Sequence, residues 1–168
     1  MRRWLAGLIV LGVLLVPSSA GATLGGDFRL VRYDGNDTGR VLDIERVTTG
    51  LTQRRALFSV RTYDQFTADD IDHGSRFQFN LDTKHLEHAD FHLYFIYWLA
   101  TDQILCRLQT DTGLTIGERP ASFDGYSLFC GIPKWWLDIR ERVEFTVEAV
   151  WLNRYVDRAP DVGRYRRL

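Results

Sequence analysis

Histidine and carboxylate side chains carry the most obvious chemistry in this sequence, and they crowd into one stretch. His85, His88 and His92 follow His73, among acids at Asp82, Glu87 and Asp90. Imidazole nitrogen and carboxylate oxygen are what a transition-metal site would use. The spacing does not assemble one, because His-Glu-x-x-His is absent, and His85 and His88 fall in a loop while His92 enters a strand beside Phe91 and Leu93. Solvated or locally hydrogen-bonded rings are the expectation.

The acid-rich connectors 64–72 and 82–90 offer oxygen ligands of the kind calcium prefers. Asp69, Asp70, Asp72, Asp82 and Asp90 are therefore the candidate ligands for a structural calcium ion. The run Asp69-Asp70-Ile71-Asp72-His73-Gly74 does not follow the twelve-position calcium loop and lacks its closing Glu. Strand-end aspartates that cap turns are the competing reading. No cofactor motif accompanies them.

A hydrolase would need a nucleophile, a base and an orienting group, or two spaced carboxylates. There is no Gly-x-Ser-x-Gly elbow, and Ser59, Ser75, Ser122 and Ser127 have no activating neighbours in sequence. Neither glycine-rich phosphate loop occurs. Positive clusters stand at Arg54 and Arg55, at Arg140 and Arg142, and at Arg164, Arg166 and Arg167, but the formal net charge is only −1. That balance gives no general pull toward nucleic acid.

Pro133-Lys134-Trp135-Trp136 is the most distinctive surface candidate. Two consecutive indoles do not readily enter one core pocket, so one of them is expected to face outward. An exposed indole stacks on a sugar ring or anchors a protein partner, since it brings a large apolar area at low rotamer cost. Lys134, Trp135 and Trp136 are the candidate ligand-binding residues. The competing reading has both rings covering the open end of the fold.

These residues need a scaffold, and the chain announces where it begins. Arg2 and Arg3 precede a run from Leu5 to Val16 that is wholly apolar or Gly, and the small residues Ser18, Ser19, Ala20, Gly21 and Ala22 follow. The pattern is that of a cleavable signal peptide over residues 1–22, cut after Ala20 or Ala22. As a helix the apolar run is about 18 Å long, short of the roughly 30 Å hydrocarbon core of a bilayer. A secreted or extracytoplasmic location follows, with no membrane insertion once the signal is removed. Its removal takes two Arg and no acid, leaving a net charge of −3.

Beyond the signal, large apolar residues recur every second position between Gly, Asp, Asn and Pro. Ala56, Phe58, Val60 and Thr62 make one such row, and Phe77, Phe79 and Leu81 make another. The segment Phe91–Leu99 is apolar on both faces and predicts a central strand. Leu42 and Ile44 alternate until Val47 breaks their phase, as a bulge or strand end would. Runs at 104–109, 126–130 and 143–151 bring the expected count to seven to nine strands. The tail from Val156 to Gly163 lacks a sustained period, and Pro160 discourages extension of the last strand.

An all-β, two-sheet antiparallel sandwich, immunoglobulin-like or jelly-roll-like, with short helical connectors is therefore expected over residues 23–168 as a single domain. The connectors are Thr67–Ile71 and Pro133–Ile139. In an oxidising compartment Cys106 and Cys130, the only cysteines, are expected to form a disulfide rather than a thiol nucleophile. Their strands must then lie side by side or face each other across the core.

Asp43-Ile44-x-x-Val47, Phe58-x-Val60, Phe77-x-Phe79-x-Leu81-Asp82-Thr83 and Ala89-Asp90-Phe91-x-Leu93 recur in order, joined by Cys130-x-Ile132-Pro133 and Asp157-x-Ala159-Pro160-Asp161-x-Gly163. Over residues 43–163 the chain resembles small secreted bacterial β-sandwich proteins of unassigned function. In outline it is similar to extracellular sandwich domains that bind carbohydrate or haem. The resemblance implies a non-catalytic architecture displayed outside the cell. No haem-ligation motif and no convergent set of sugar-binding aromatics supports either ligand.

The function expected from the sequence is a secreted, non-catalytic binding or surface-interaction module for an extracellular protein or glycan. A structural accessory protein of the envelope and an extracellular hydrolase using strand-end carboxylates are the alternatives.

Overall fold

The computed structural model describes residues 28–72, 74–84, 88–137, 139, 143–161 and 163–166. The leader expected over residues 1–22 lies outside them, as do His73, His85 and Glu87. In chain order the described strands are β1 (Phe28–Tyr33), β2 (Ile44–Leu51), β3 (Arg55–Thr62), β4 (Arg76–Asp82), β5 (Phe91–Trp98) and β6 (Gln103–Thr110). They continue with β7 (Thr115–Pro120), β8 (Ser122–Phe123), β9 (Ser127–Pro133), β10 (Glu144–Trp151), β11 (Arg154–Ala159) and β12 (Tyr165–Arg166).

Two antiparallel sheets result, because each strand has one apolar row to hide and a facing sheet is what can cover it. The first sheet has the order β1-β2-β3-β9-β8. The second has the order β11-β10-β4-β5-β6-β7, with β12 also pairing with β10. Ala56, Phe58 and Val60 of β3 and Leu128, Cys130 and Ile132 of β9 face the core from one side. Phe77, Phe79 and Leu81 of β4, with Leu93 and Phe95 of β5, face it from the other.

Phe79 sits at the centre. Its ring lies 5.3 Å from Phe58 in the opposite sheet, in an edge-on arrangement, and 6.1 Å and 6.2 Å from Phe95 and Phe145 in its own. Such edge and tilted contacts are the favoured aromatic geometries.

Cys106 of β6 and Cys130 of β9 are disulfide-bonded with α-carbons 6.3 Å apart, so the bond crosses the core and joins the two sheets. The phase break at Val47 corresponds to a shift in the β2–β3 register between Ile44 and Arg46. β5 runs between β4 and β6, interior to its sheet. Its second apolar face is not covered by another layer. Instead the Arg76 guanidinium lies over Tyr94 at 5.9 Å, and that of Arg107 lies over Trp98 at 5.3 Å. Long cationic side chains thus shield rings on a wet sheet face.

Four strands depart from the sequence expectation, the short β12 among them. β7 and β8 occupy 115–123, where no apolar alternation exists, and β11 extends to Ala159, immediately before Pro160. β7, β8 and β11 each lie at a sheet edge, where only one neighbour is needed; β7 and β8 are largely exposed, whereas β11 buries Asp157 and Ala159. The helical connectors are single 3₁₀ turns at Ala68–Ile71 and Lys134–Trp136, so among the described residues of the helix expected over Pro133–Ile139 only Lys134–Trp136 is helical. No helix among the described residues is long and apolar enough to cross a membrane.

Candidate functional site

At Ala121 the chain passes from one sheet to the other, from β7 to β8, with the Ala121 amide donating to the Ile104 carbonyl at 2.9 Å. Beside this crossing the sandwich is open at its edge. The 3₁₀ turn following β9 closes it. Pro133 enters that turn with φ −58°, the value its ring favours. Three residues per turn set successive side chains about 120° apart, so adjacent indoles point in different directions.

Trp136 turns inward and packs against the core, while Trp135 is 77% exposed. Their rings are 6.0 Å apart and perpendicular. Trp136 fits because β7 carries Gly117 beneath it: a Cβ there would stand 2.3 Å from the indole Cη2. The Arg119 guanidinium covers the same ring at 5.6 Å. One indole therefore plugs the edge, and the other is presented to solvent on a supported turn.

Trp135 and Lys134 border a cleft of about 900 Å³. Its walls come from the β2–β3 turn, β7 and β9, and include Arg54, Arg55, Arg119 and Phe129. Gly131 keeps the floor low, since a Cβ there would press on Leu57 at 3.1 Å and on Arg55 at 3.5 Å. The turn is held by the Thr52 hydroxyl, which accepts from the Arg55 amide at 2.8 Å. The Lys134 amide in turn donates to the Arg54 carbonyl at 2.9 Å. Four cationic residues thus line the cleft together with one exposed indole, and no carboxylate lines it among the described residues. The inter-sheet disulfide lies directly behind it, for Cys130 also contributes to the wall.

The five aspartates named from the sequence do other work. Asp70 accepts from the Thr67 amide at 2.6 Å and from its hydroxyl at 2.8 Å, capping the first 3₁₀ turn together with its neighbour Asp69 in the acidic first turn. Asp72 ends that turn, its amide donating back to the Asp69 carbonyl. Asp82 accepts from Arg164 at 2.8 Å. Asp90 accepts from the Thr83 amide at 2.8 Å and hydroxyl at 2.6 Å. None of the five joins a group of three converging ligand atoms among the described residues.

A different set of aspartates does converge, at the opposite edge of the sandwich. Asp34, Asp157 and Asp161 form one group and Asp37, Asp43 and Asp157 another, the ligand oxygens within each group lying within 4.8 Å of one another. Asp43 and Asp157 are buried, at 1% and 2% exposure. Asp157 on β11 accepts from the Ile44 amide of β2 at 2.6 Å, so this corner ties the second sheet to the first. Asp43 accepts from the Thr38 and Gly39 amides at 3.2 Å and 2.9 Å through Oδ2.

The crowding has an electrostatic cost. Burial, then the charges of Asp157, Asp161 and Asp37, push the Asp34 carboxyl up to about 7. Burial pushes Asp157 up to about 6, although the Ile44 and Arg158 amides pull it the other way. The Tyr165 phenol is pushed up to about 12, by burial and by Asp34.

A third, polar hollow of about 360 Å³ lies on the outer face of the second sheet and includes Asn80, Asp82, His92, Glu148, Arg158 and Arg164. Its groups largely satisfy one another. His92 Nδ1 is 2.8 Å from Asn80 Oδ1, and Asn80 Nδ2 donates to the Thr146 hydroxyl at 3.2 Å. Burial lowers the His92 pKa. No serine lines this hollow among the described residues, so the nucleophile of a Ser/His/acid constellation is not supplied there. His88 is exposed on the neighbouring loop.

Comparison with known proteins returns no matching family model, no matching curated protein and no matching solved structure. The reading of the site rests on this chain's own residues. The aspartate corner escaped the sequence analysis because its members come from segments more than a hundred residues apart, the Asp157–Ile44 bond alone spanning 113. A local trace of it exists in Asp34-x-Asn36-x-Thr38-Gly39, where oxygen-bearing side chains at every second position precede a glycine at φ +58°. That is the opening half of a calcium-loop spacing.

Proposed function

We propose that this chain is an extracytoplasmic, non-catalytic binding module whose Trp135 cleft receives an acidic glycan. The observation that carries the reading is the conjunction, in one cleft, of a 77% exposed indole with Arg54, Arg55, Arg119 and Lys134. A flat aromatic face suits the apolar face of a sugar ring, and guanidinium groups recognise carboxylate or sulfate in a paired geometry. Each element is insufficient alone. Together they specify a ligand that is both ring-shaped and anionic.

The charge distribution supports this choice. The whole chain is slightly acidic, so a cluster of four cations is a local departure that concentrates positive potential at the cleft mouth. The walls are also fixed in advance by the Lys134–Arg54 hydrogen bond and by the disulfide behind them, which lowers the ordering cost of binding. A disulfide and the lack of a long apolar helix among the described residues are compatible with the extracytoplasmic location.

The test is calorimetric titration with polygalacturonate, with sulfated heparin and with neutral dextran. Saturable binding of one acidic polymer, weakened by salt, is expected, with dextran inert. Trp135→Ala should weaken it about tenfold or more while leaving the thermal midpoint in place. Equal binding of dextran, or full affinity in Trp135→Ala, would refute the assignment. Absence of any saturable glycan binding would point to a protein contact or a structural role in the envelope.

A further inference from the structure

The opposite edge of the sandwich holds a second site, independent of the cleft. Five aspartates form two overlapping groups of three there, sharing Asp157, from the segment between β1 and β2 (Asp34, Asp37, Asp43) and from the end of β11 and its following turn (Asp157, Asp161). Acidic residues on a surface often gather without purpose. Two features set this group apart.

The first is burial without a partner. Asp43 is 1% exposed, and although Oδ2 is satisfied by two amides, Oδ1 is buried with no hydrogen-bond partner. Asp34 Oδ2 and the Thr38 hydroxyl, in the same segment, are also buried and unpartnered. Three of the five such side-chain atoms among the described residues thus belong to one ten-residue stretch. A buried, undonated carboxylate oxygen is costly enough that native proteins supply it with a donor or a cation.

The second feature is the neighbourhood. Arg158 follows Asp157, yet its terminal nitrogen donates to the Gly163 carbonyl at 3.3 Å, and its side chain borders the polar hollow instead. Glu45, just beyond Asp43, is engaged by Arg61 at 2.7 Å. Tyr63 donates its hydroxyl to the Asp34 carbonyl at 2.7 Å, not to a carboxylate. The corner therefore gathers negative charge, with its orphaned oxygens left to something else.

We propose that Asp34, Asp37, Asp43, Asp157 and Asp161 bind a calcium ion that fastens the β1–β2 segment to β11. The donor set is all oxygen, without His or Cys, which disfavours zinc and other nitrogen- or sulfur-seeking metals. Calcium accepts several carboxylates at once at about 2.4 Å, so two of its ligands on opposite sides stand about 4.8 Å apart. The oxygens of each group of three, Asp34, Asp157 and Asp161 or Asp37, Asp43 and Asp157, converge within that limit, and Asp157 belongs to both groups. Magnesium demands smaller, stricter octahedra and retains its waters. The site is distinct from the calcium position expected from sequence at Asp69, Asp70, Asp72, Asp82 and Asp90.

The experiment is calcium titration of the oxidised, metal-stripped protein, read by calorimetry and by the thermal midpoint. Calcium alone is the probe, with magnesium in parallel. Saturable binding near the 0.1–1 mM dissociation constants of extracellular modules is expected, and about 10 mM calcium should raise the midpoint by about 5 °C or more. Asp157 and Asp43 also hold amides, so their variants risk misfolding. The decisive variant is Asp37→Asn with Asp161→Asn, both exposed. It should keep its midpoint in chelator and lose at least tenfold in calcium affinity. No response to calcium, an equal response to magnesium, or undiminished affinity in the double variant overturns the proposal. Glycan binding at the Trp135 cleft plays no part in this readout.

Discussion

Removing the inter-sheet disulfide tests the architecture and the cleft together. The perturbation is Cys106→Ala with Cys130→Ala. The bond closes a loop whose ends are 24 residues apart in sequence. On the chain-entropy model, freeing a loop of that size relaxes the unfolded state by about 3.5 kcal/mol. Both sulfurs are buried, so truncation adds a smaller packing loss, of about 1 kcal/mol or less per site. With about 2–4 °C of midpoint per kcal/mol for a chain of this size, the double variant should melt about 10–15 °C lower.

Urea unfolding followed by tryptophan fluorescence measures the free energy directly, with and without reductant for the native sequence. The cleft supplies the second readout. Cys130 lines it, and Cys106 is registered against Arg119 on β7, so loss of the bond loosens both of its walls. Leu81→Ala is the control. Leu81 is fully buried on β4, two strands from β6, and its truncation costs about 2–5 kcal/mol without touching the cleft. Acidic-glycan affinity should fall in the cysteine variant and hold in the control. A double variant within about 1 kcal/mol of the native protein would refute the unfolded-state argument. Equal glycan affinity in both variants would refute the mechanical one.

Two further expectations concern single residues. Gly117→Ala puts a methyl group where Trp136 now lies 2.3 Å away, so the indole must move; a loss of about 1–3 kcal/mol and a shifted tryptophan emission are expected, and an unchanged spectrum would contradict the packing described. Burial lowers the His92 pKa although Glu148, Asp111 and Asp90 oppose it, so the unfolded chain takes up that proton first as pH falls. The native protein should therefore lose stability relative to His92→Gln as pH drops from 7.5 through 6.5 to 5, measured by urea midpoints; a gap that stays constant across this range would remove the effect.

The readable and unreadable parts of this fold divide along physical lines. Strands with one dry face, such as Ala56-x-Phe58-x-Val60 and Phe77-x-Phe79-x-Leu81, print a period of two because alternate residues meet different solvents. β7 meets water on both faces and carries no such record, while the dry row of β11 is, among the described residues, only Asp157 and Ala159, too short and too polar to print one. The β10–β11 hairpin was hidden for a second reason. Its turn is Leu152-Asn153, both at positive φ, where a tight hairpin of this kind usually shows Gly or Asp beside Asn. The pairing of Cys106 with Cys130 followed from their being the only cysteines, and the side-by-side indoles after Pro133 marked the cleft rim. The cationic wall was not legible, because Arg54, Arg55 and Arg119 come from separate strands and turns and share no sequence pattern.

The hydrogen bond from the Ile44 amide to Asp157 has a consequence for how the molecule is completed. Ribosomes deliver a polypeptide from its amino end, so β2 emerges long before the residue that satisfies it. Until position 157 arrives, a nascent chain has a rim that gapes, with an undocked amide and a free strand edge. Closure thus reports that β11 has been made and has docked against β2. A molecule whose β11 has not docked leaves this rim open however well Phe58 and Phe79 pack, and an open rim is the kind of surface that proteases recognise.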